Sequence, residues 1–239
     1  VMGQDNAKLS KRNGEVSIAW YREMGFLPEA ICNYLALLGW SPGDDLENIT
    51  MKQLTEMFTV EKVHSSPARF DMKKLEAING DKIRALTLEE FLKWSLPFLT
   101  KADVITGTDA EIELVKKALP IIQERIIMLN EVPKMLKFLF TKNFAVEAES
   151  VSKITDDASK EILKRSVKEL ETVSDWTHTN IEAVLRASLI EEMALKPRIA
   201  FTALRIATTG STISPPLFES MELLGKEACL LRINAGLAL

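Results

Sequence analysis

Histidine and cysteine are scarce in this chain, with two of each in 239 residues. Cys32 and Cys229 stand almost at opposite ends, with no Cys-x-x-Cys spacing. Neither a disulfide framework nor a thiolate metal site is therefore suggested, and no metal ligands are expected. His64 is followed by Ser65-Ser66 and His178 by Thr179-Asn180, so neither belongs to a paired-histidine motif. Both are read as ordinary surface or loop residues. No apolar run approaches the ~20 residues needed to cross a bilayer. No charged-then-apolar leader with a small-residue cleavage site is seen either. A reducing cytoplasm is the expected setting, an organellar matrix the alternative, and no membrane partner is expected. Sustained period-two alternation is missing, which leaves no signal for a β-barrel. The net charge of −4 argues against a protein that coats nucleic acid non-specifically, and DNA is not an expected partner. It leaves room for RNA binding through local cationic patches, because phosphate contacts act over about a Debye length.

Apolar residues make up 46% of the chain and charged residues 27%, an ordinary globular balance with enough length for one large domain or two modest ones. The pattern reads as helix after helix. Pro28 suits the first turn of a helix to Leu38, stopped by Gly39. Thr50 with Gln53, and Thr87 with Glu90, form capping boxes. Asp71 caps a helix from Met72 to Asn79, with Gly80 as its expected stop. Thr108 with Glu111 opens a long helix expected to reach about Leu129 with a kink at Pro120. Pro133, Pro197 and Pro216 sit where a first-turn proline is tolerated. Leu163, Val167, Leu170 and Val173 form one helical stripe; Ile181, Val184, Leu185 and Leu189 form another. Both read as core. The expected fold is all-α, with at most a strand remnant at Val1-Met2-Gly3 and a weak hint of alternation at Phe144-Ala145-Val146. Soft boundaries fall at Leu86-Thr87 and between 141 and 150. There is no internal repeat and no low-complexity tract.

One stretch carries chemistry. Lys8-Leu9-Ser10-Lys11-Arg12, followed by Asn13-Gly14, places three cations and a hydroxyl in a short polar loop flanked by Gly3 and Gly14. A phosphate-handling loop needs these residue types. Downstream come Asn33-Tyr34-Leu35-Ala36-Leu37-Leu38-Gly39-Trp40, then Ser65-Ser66-Pro67-Ala68-Arg69-Phe70-Asp71 and Lys74-Leu75-Glu76-Ala77-Ile78-Asn79. Pro215-Pro216-Leu217-Phe218 and Leu223-Leu224-Gly225-Lys226-Glu227 follow near the end. In this order the blocks closely resemble the bacterial-type glutamyl-tRNA synthetases, whose class I Lys-Met-Ser-Lys-Ser loop takes the form Lys-Leu-Ser-Lys-Arg. The resemblance covers essentially the whole chain.

The resemblance implies a helical stem-contact region with the signature loop at 1–86, then two helical anticodon-binding bundles at 87–145 and 146–239. It implies that Lys11 is the main contact to ATP phosphates, with Lys8 and Arg12 supporting and Ser10 ordering the loop. Cations there favour the transition state, where negative charge builds up on phosphate oxygens. The partner signature His-Ile-Gly-His is missing, so the nucleotide-binding Rossmann half is expected to be absent, as though the chain were cut inside the strand leading into the loop. ATP with Mg is expected in the complete enzyme and no cofactor on this stretch alone, which should not aminoacylate. The implied partner is glutamate tRNA, and a monomer is expected.

Candidate phosphate or base contacts are Arg125, Lys134, Lys137, Arg205 and Arg232. Arg205 precedes the small polar turn Ala207-Thr208-Thr209-Gly210-Ser211, so Thr209, Ser214, Leu217 and Phe218 join it as expected tRNA contacts. Unpaired anticodon bases can be splayed out there, stacked and hydrogen-bonded on their edges. Gln123 matches a helical position that is an arginine in family members charging only glutamate tRNA. Arginine carries only donors, whereas glutamine has both donors and an acceptor, so acceptance of glutamine tRNA as well is expected. Arg125 lies about 200° further round an ideal helix and is not expected to replace it. The alternative is a helical interaction scaffold with no RNA role, which leaves the basic loop unexplained. Glutaminyl and archaeal-type glutamyl enzymes read anticodons with β-barrels, and a shortened tRNA-modifying paralogue lacks the helical domains.

Overall fold

The computed structural model describes residues 17–43, 46–64 and 69–239. Lys8, Ser10, Lys11 and Arg12 lie outside the described residues, as does the strand remnant expected at the start. The described residues form fourteen α-helices and no strand, as the all-α expectation requires. Trp40 and Val63 make an isolated antiparallel bridge. The hint at Phe144–Val146 produces no strand. The chain divides into two compact units, one running up to Leu99 with Gln123–Lys134, the other comprising Thr100–Ile122 and Met135–Leu239.

In the first unit, α1 (Ile18–Met24) is capped by Ser17, whose hydroxyl accepts the Trp20 N–H at 3.1 Å, and ends at Gly25 in the left-handed region. Next come α2 (Pro28–Leu37), α3 (Met51–Met57), α4 (Met72–Ala85) and α5 (Leu88–Lys101). Thr50 with Gln53, Asp71 with Lys74 N–H, and Thr87 with Glu90 all make the expected caps. Three buried polar side chains tie distant segments together. Asn33 donates to Glu47 O at 2.9 Å and accepts from Ile49 N–H at 2.8 Å. Asn79 accepts from Leu27 N–H at 2.8 Å and donates to Ile127 O at 2.6 Å. Lys82 donates to Ile49 O at 2.7 Å.

Two boundaries differ from expectation. Gly80 does not stop α4, which runs on to Ala85. Its lack of a side chain serves packing instead: a Cβ there would sit 3.1 Å from the Ile127 methyl. The long helix opening at Thr108 does not reach Leu129. It is divided into α6 (Asp109–Ala118) and the single turn α7 (Pro120–Gln123). Pro120 contributes no N–H, and other partners take over the backbone beyond Gln123. Glu131 accepts from Ile127 N–H and Met128 N–H, while Asn79 takes Ile127 O.

The second unit adds α8 (Val132–Phe140) from Met135 onward, then α9 (Ala148–Val151), α10 (Asp157–Thr172), α11 (His178–Leu185), α12 (Pro197–Thr209), α13 (Leu217–Leu224) and α14 (Lys226–Leu237). Its core joins Ile162, Leu163 and Leu170 of α10 to Ile181 and Leu185 of α11, Leu204 of α12 and Ile233 of α14. The two stripes read from the sequence thus point inward. A π-helical segment, Arg186–Glu192, follows α11 and buries Leu189.

Candidate nucleic-acid interface

The turn between α12 and α13 gathers five of the expected tRNA contacts. Helix α12 starts at Pro197, which is preset for a first turn, and ends at Gly210 with φ +86°. A Cβ on Gly210 would lie 3.0 Å from Ala145 O, and Gly210 O accepts from Glu147 N–H at 2.9 Å, so only glycine fits. Before the turn, the Thr209 hydroxyl donates to Arg205 O at 2.7 Å. Across it, Arg205 Nη1 donates to Ser214 Oγ at 2.5 Å and to Pro215 O at 2.6 Å. Pro216 then caps α13, whose Leu217 is buried and whose Phe218 is half-buried. Arg205, Thr209, Ser214, Leu217 and Phe218 therefore cluster at this turn, where Arg205 and Phe218 are half-buried, Thr209, Ser214 and Leu217 are buried beneath them, and Ile213 at the tip is 60% exposed.

Sequence reasoning missed two neighbours of this surface. Phe201, four residues before Arg205 and so on the same face of α12, meets Phe218 edge to face at 5.2 Å. The exposed guanidinium of Arg186 lies over the Phe201 ring at 5.4 Å. The i, i+4 pairing of Phe201 with Arg205 was the available signal for the first; nothing local signalled the second, because the π-helical segment places it.

In the first unit, Gln123 ends α7 and its amide Nε2 donates to Ile83 O and Leu86 O, both at 2.9 Å. It thereby satisfies carbonyls at the C-terminal end of α4. Arg125 is exposed, but in a turn beyond the helix rather than on its next face. Lys134 and Lys137 are exposed on α8. Arg232 is different: it is buried, and both terminal guanidinium nitrogens donate to backbone carbonyls, Nη1 to Thr208 O and Nη2 to Phe138 O, each at 2.8 Å. Its expected role as a direct phosphate contact is withdrawn, because its donors face inward. Burial pushes its pKa down. Burial likewise pushes the Cys229 thiol up to about 12, leaving it protonated and inert at neutral pH. Cys32 is exposed. His178, at the start of α11, pairs with Glu222 through Nδ1 at 2.6 Å. His64 is exposed, so both histidines sit where the sequence placed them.

Comparison with known proteins shows the family. The anticodon binding domain family matches residues 77–237. The chain belongs to the anticodon-binding domain family. Residues 1–77 match the catalytic domain of class I tRNA synthetases (E and Q). The chain is 42% identical over 240 residues to a glutamate–tRNA ligase of Saccharopolyspora erythraea, covering 99% of this chain and 48% of that protein. It is 44% identical over 244 residues to one of Paenarthrobacter aurescens, covering 98% and 47%. The chain thus spans about half the length of the curated relatives it matches. A crystal structure of a glutamate tRNA ligase from Elizabethkingia meningosepticum superposes with a TM-score of 0.82 at 24% identity, over 100% of this chain and 50% of that one. The anticodon-binding domain therefore shares its helical fold with a solved ligase. No helix among the described residues is long and apolar enough to cross a membrane.

Proposed function

We propose that this chain is the tRNA-binding, anticodon-recognising part of a glutamate–tRNA ligase. The observation that carries the reading is the assembly of Arg205, Thr209, Ser214, Leu217 and Phe218 on one glycine-hinged turn of an anticodon-binding domain. The half-buried guanidinium of Arg205 and ring of Phe218 are what an unpaired base needs for edge recognition and stacking, and the buried Thr209 and Ser214 hydroxyls fix the turn that presents them. Residues 1–86 serve as signature loop and stem-contact region, and 87–145 and 146–239 as the two anticodon-binding subdomains. Lys134, Lys137 and Arg125 supply phosphate contacts.

In the complete ligase, glutamate's carboxylate becomes activated at the expense of ATP with Mg, then passes to the tRNA. Lys11 stabilises negative charge developing on the departing pyrophosphate, with Lys8 and Arg12 supporting it and Ser10 ordering the loop. The protein works as a cytoplasmic monomer. The 239 residues should bind tRNA weakly and release it as salt rises, while catalysing no glutamate-dependent ATP–pyrophosphate exchange. A tRNA affinity indifferent to salt, or measurable exchange by this chain, would contradict that assignment.

The ligase also accepts glutamine tRNA. With Nε2 of Gln123 held by the end of α4, its acceptor Oε1 is left to meet a base. That acceptor suits the cytosine amine and the guanine N–H donors alike. These are the third anticodon bases of glutamate and glutamine tRNAs, so the side chain discriminates poorly between them. An arginine there offers donors only, which guanine's donors oppose. In the complete enzyme, Gln123→Arg should lower charging of glutamine tRNA at least about tenfold relative to glutamate tRNA. Rejection of glutamine tRNA by the wild type, or unchanged selectivity in the variant, overturns this part.

A further inference from the structure

We infer that Arg232 is a positioning residue that sets the tRNA-reading turn from behind by clamping the C-terminal carbonyls of two helices. The inference rests on that turn being a tRNA contact. Arg232 is buried in α14, yet no carboxylate pairs with it among the described residues. Nη1 lies 2.8 Å from Thr208 O, Nη2 lies 2.8 Å from Phe138 O, and the Phe144 ring covers the guanidinium at 4.1 Å.

The source of its counter-charge is the helix ends. Thr208 is in the last turn of α12 and Phe138 in the last turn of α8. Carbonyls in a final turn have no intrahelical donor and carry the negative end of the helix dipole. Two such ends converge on one planar cation, and the electron-rich ring face completes its surroundings. Lysine, with its charge concentrated on one compact ammonium, does not reproduce this fork.

The clamp matters because of what it touches next. Thr208 immediately precedes Thr209 and Gly210. Phe144, the ring on Arg232, also lies against Gly210, where a Cβ would meet it at 3.3 Å. Arg232 therefore holds both sides of the close approach that sets Gly210, and with it the Thr209 and Ser214 hydroxyls. Arg205 braces the turn from the outer side, Arg232 from the inner side.

The test compares wild type, Arg232→Lys, Arg232→Met and Phe144→Leu, using the whole chain, by amide hydrogen exchange and by tRNA binding over a range of salt. Arg232→Lys should speed exchange across 210–214 at least about tenfold, with the core of α10 and α11 unchanged. Affinity for glutamate tRNA should fall at least about tenfold, while the slope of log Kd against log salt stays at the wild-type value, since no phosphate contact is lost. Phe144→Leu should act in the same direction with smaller size. If Arg232→Met does not fold, the other two variants carry the same readouts. A lower melting midpoint with wild-type exchange at the turn and wild-type affinity reduces Arg232 to general stability and overturns the inference. A salt slope smaller by about one makes it a direct phosphate contact and overturns it too. Should the wild type bind no tRNA, the functional reading fails, and the exchange measurement alone still decides whether Arg232 sets the turn.

Discussion

Gly25 shows how much one missing side chain can carry. Its φ of +90° closes α1, and a Cβ there would stand 2.5 Å from Leu129 N and 2.7 Å from Asn130 N. Both atoms are backbone, and Leu129 N–H donates to Gly25 O at 3.2 Å, so neither can withdraw without breaking the contact. Gly25→Ala should cost at least ~2 kcal/mol, combining left-handed strain with the steric conflict. Gly43 is the internal control, with φ +89° and no atom of the described residues within 4 Å of where a Cβ would stand. Gly43→Ala should cost only ~1 kcal/mol. Urea unfolding midpoints at constant m-value measure both; equal losses would show that the close approach at Leu129 has no energetic weight.

At the scale of the element, caps are where sequence and structure agree best. Glu111 is the strongest of them. Its Oε2 accepts from the N–H groups of Thr106, Gly107 and Thr108 and from both threonine hydroxyls. The Thr108 N–H leads in holding its pKa down, from 4.5 to about 2. A depressed carboxylate stabilises the fold above its ordinary pKa, and that contribution disappears as pH falls toward the folded value. The melting-midpoint gap between wild type and Glu111→Gln should therefore be larger at pH 6 than at pH 3. A gap of the same size at both pH values would show that the charge of Glu111 is not what secures α6. Such caps were legible because Thr50, Asp71, Thr87 and Thr108 act on neighbours three residues away. Gly80 and Pro120 were misread for the opposite reason. What Gly80 does depends on Ile127, and where the helix after Pro120 ends depends in part on Asn79, both distant in sequence. Arg232 looked like a surface cation because its partners, Phe138 and Thr208, are 94 and 24 residues away. The π-helical segment at Arg186–Glu192 and the continuation of α5 through Pro97 left no local signal that propensity could detect.

For the whole molecule, the net charge of −4 and the proposed binding of a polyanion are reconciled by placement. On the proposed reading, recognition is concentrated at a braced turn and a few exposed cations, rather than spread over a basic surface, which favours selective over indiscriminate association. Specificity should then follow the anticodon bases, with phosphate contacts contributing only the salt-sensitive background. The direct measurement is the affinity of this chain for a glutamate-tRNA transcript against transcripts altered only at the first or third anticodon base, at one fixed ionic strength. The account predicts that alteration of the first base, which we propose the Arg205–Ser214 turn reads while Gln123 faces the third, weakens binding at least about tenfold through lost edge contacts. Equal affinity for the native transcript and the one altered at the first base would contradict it.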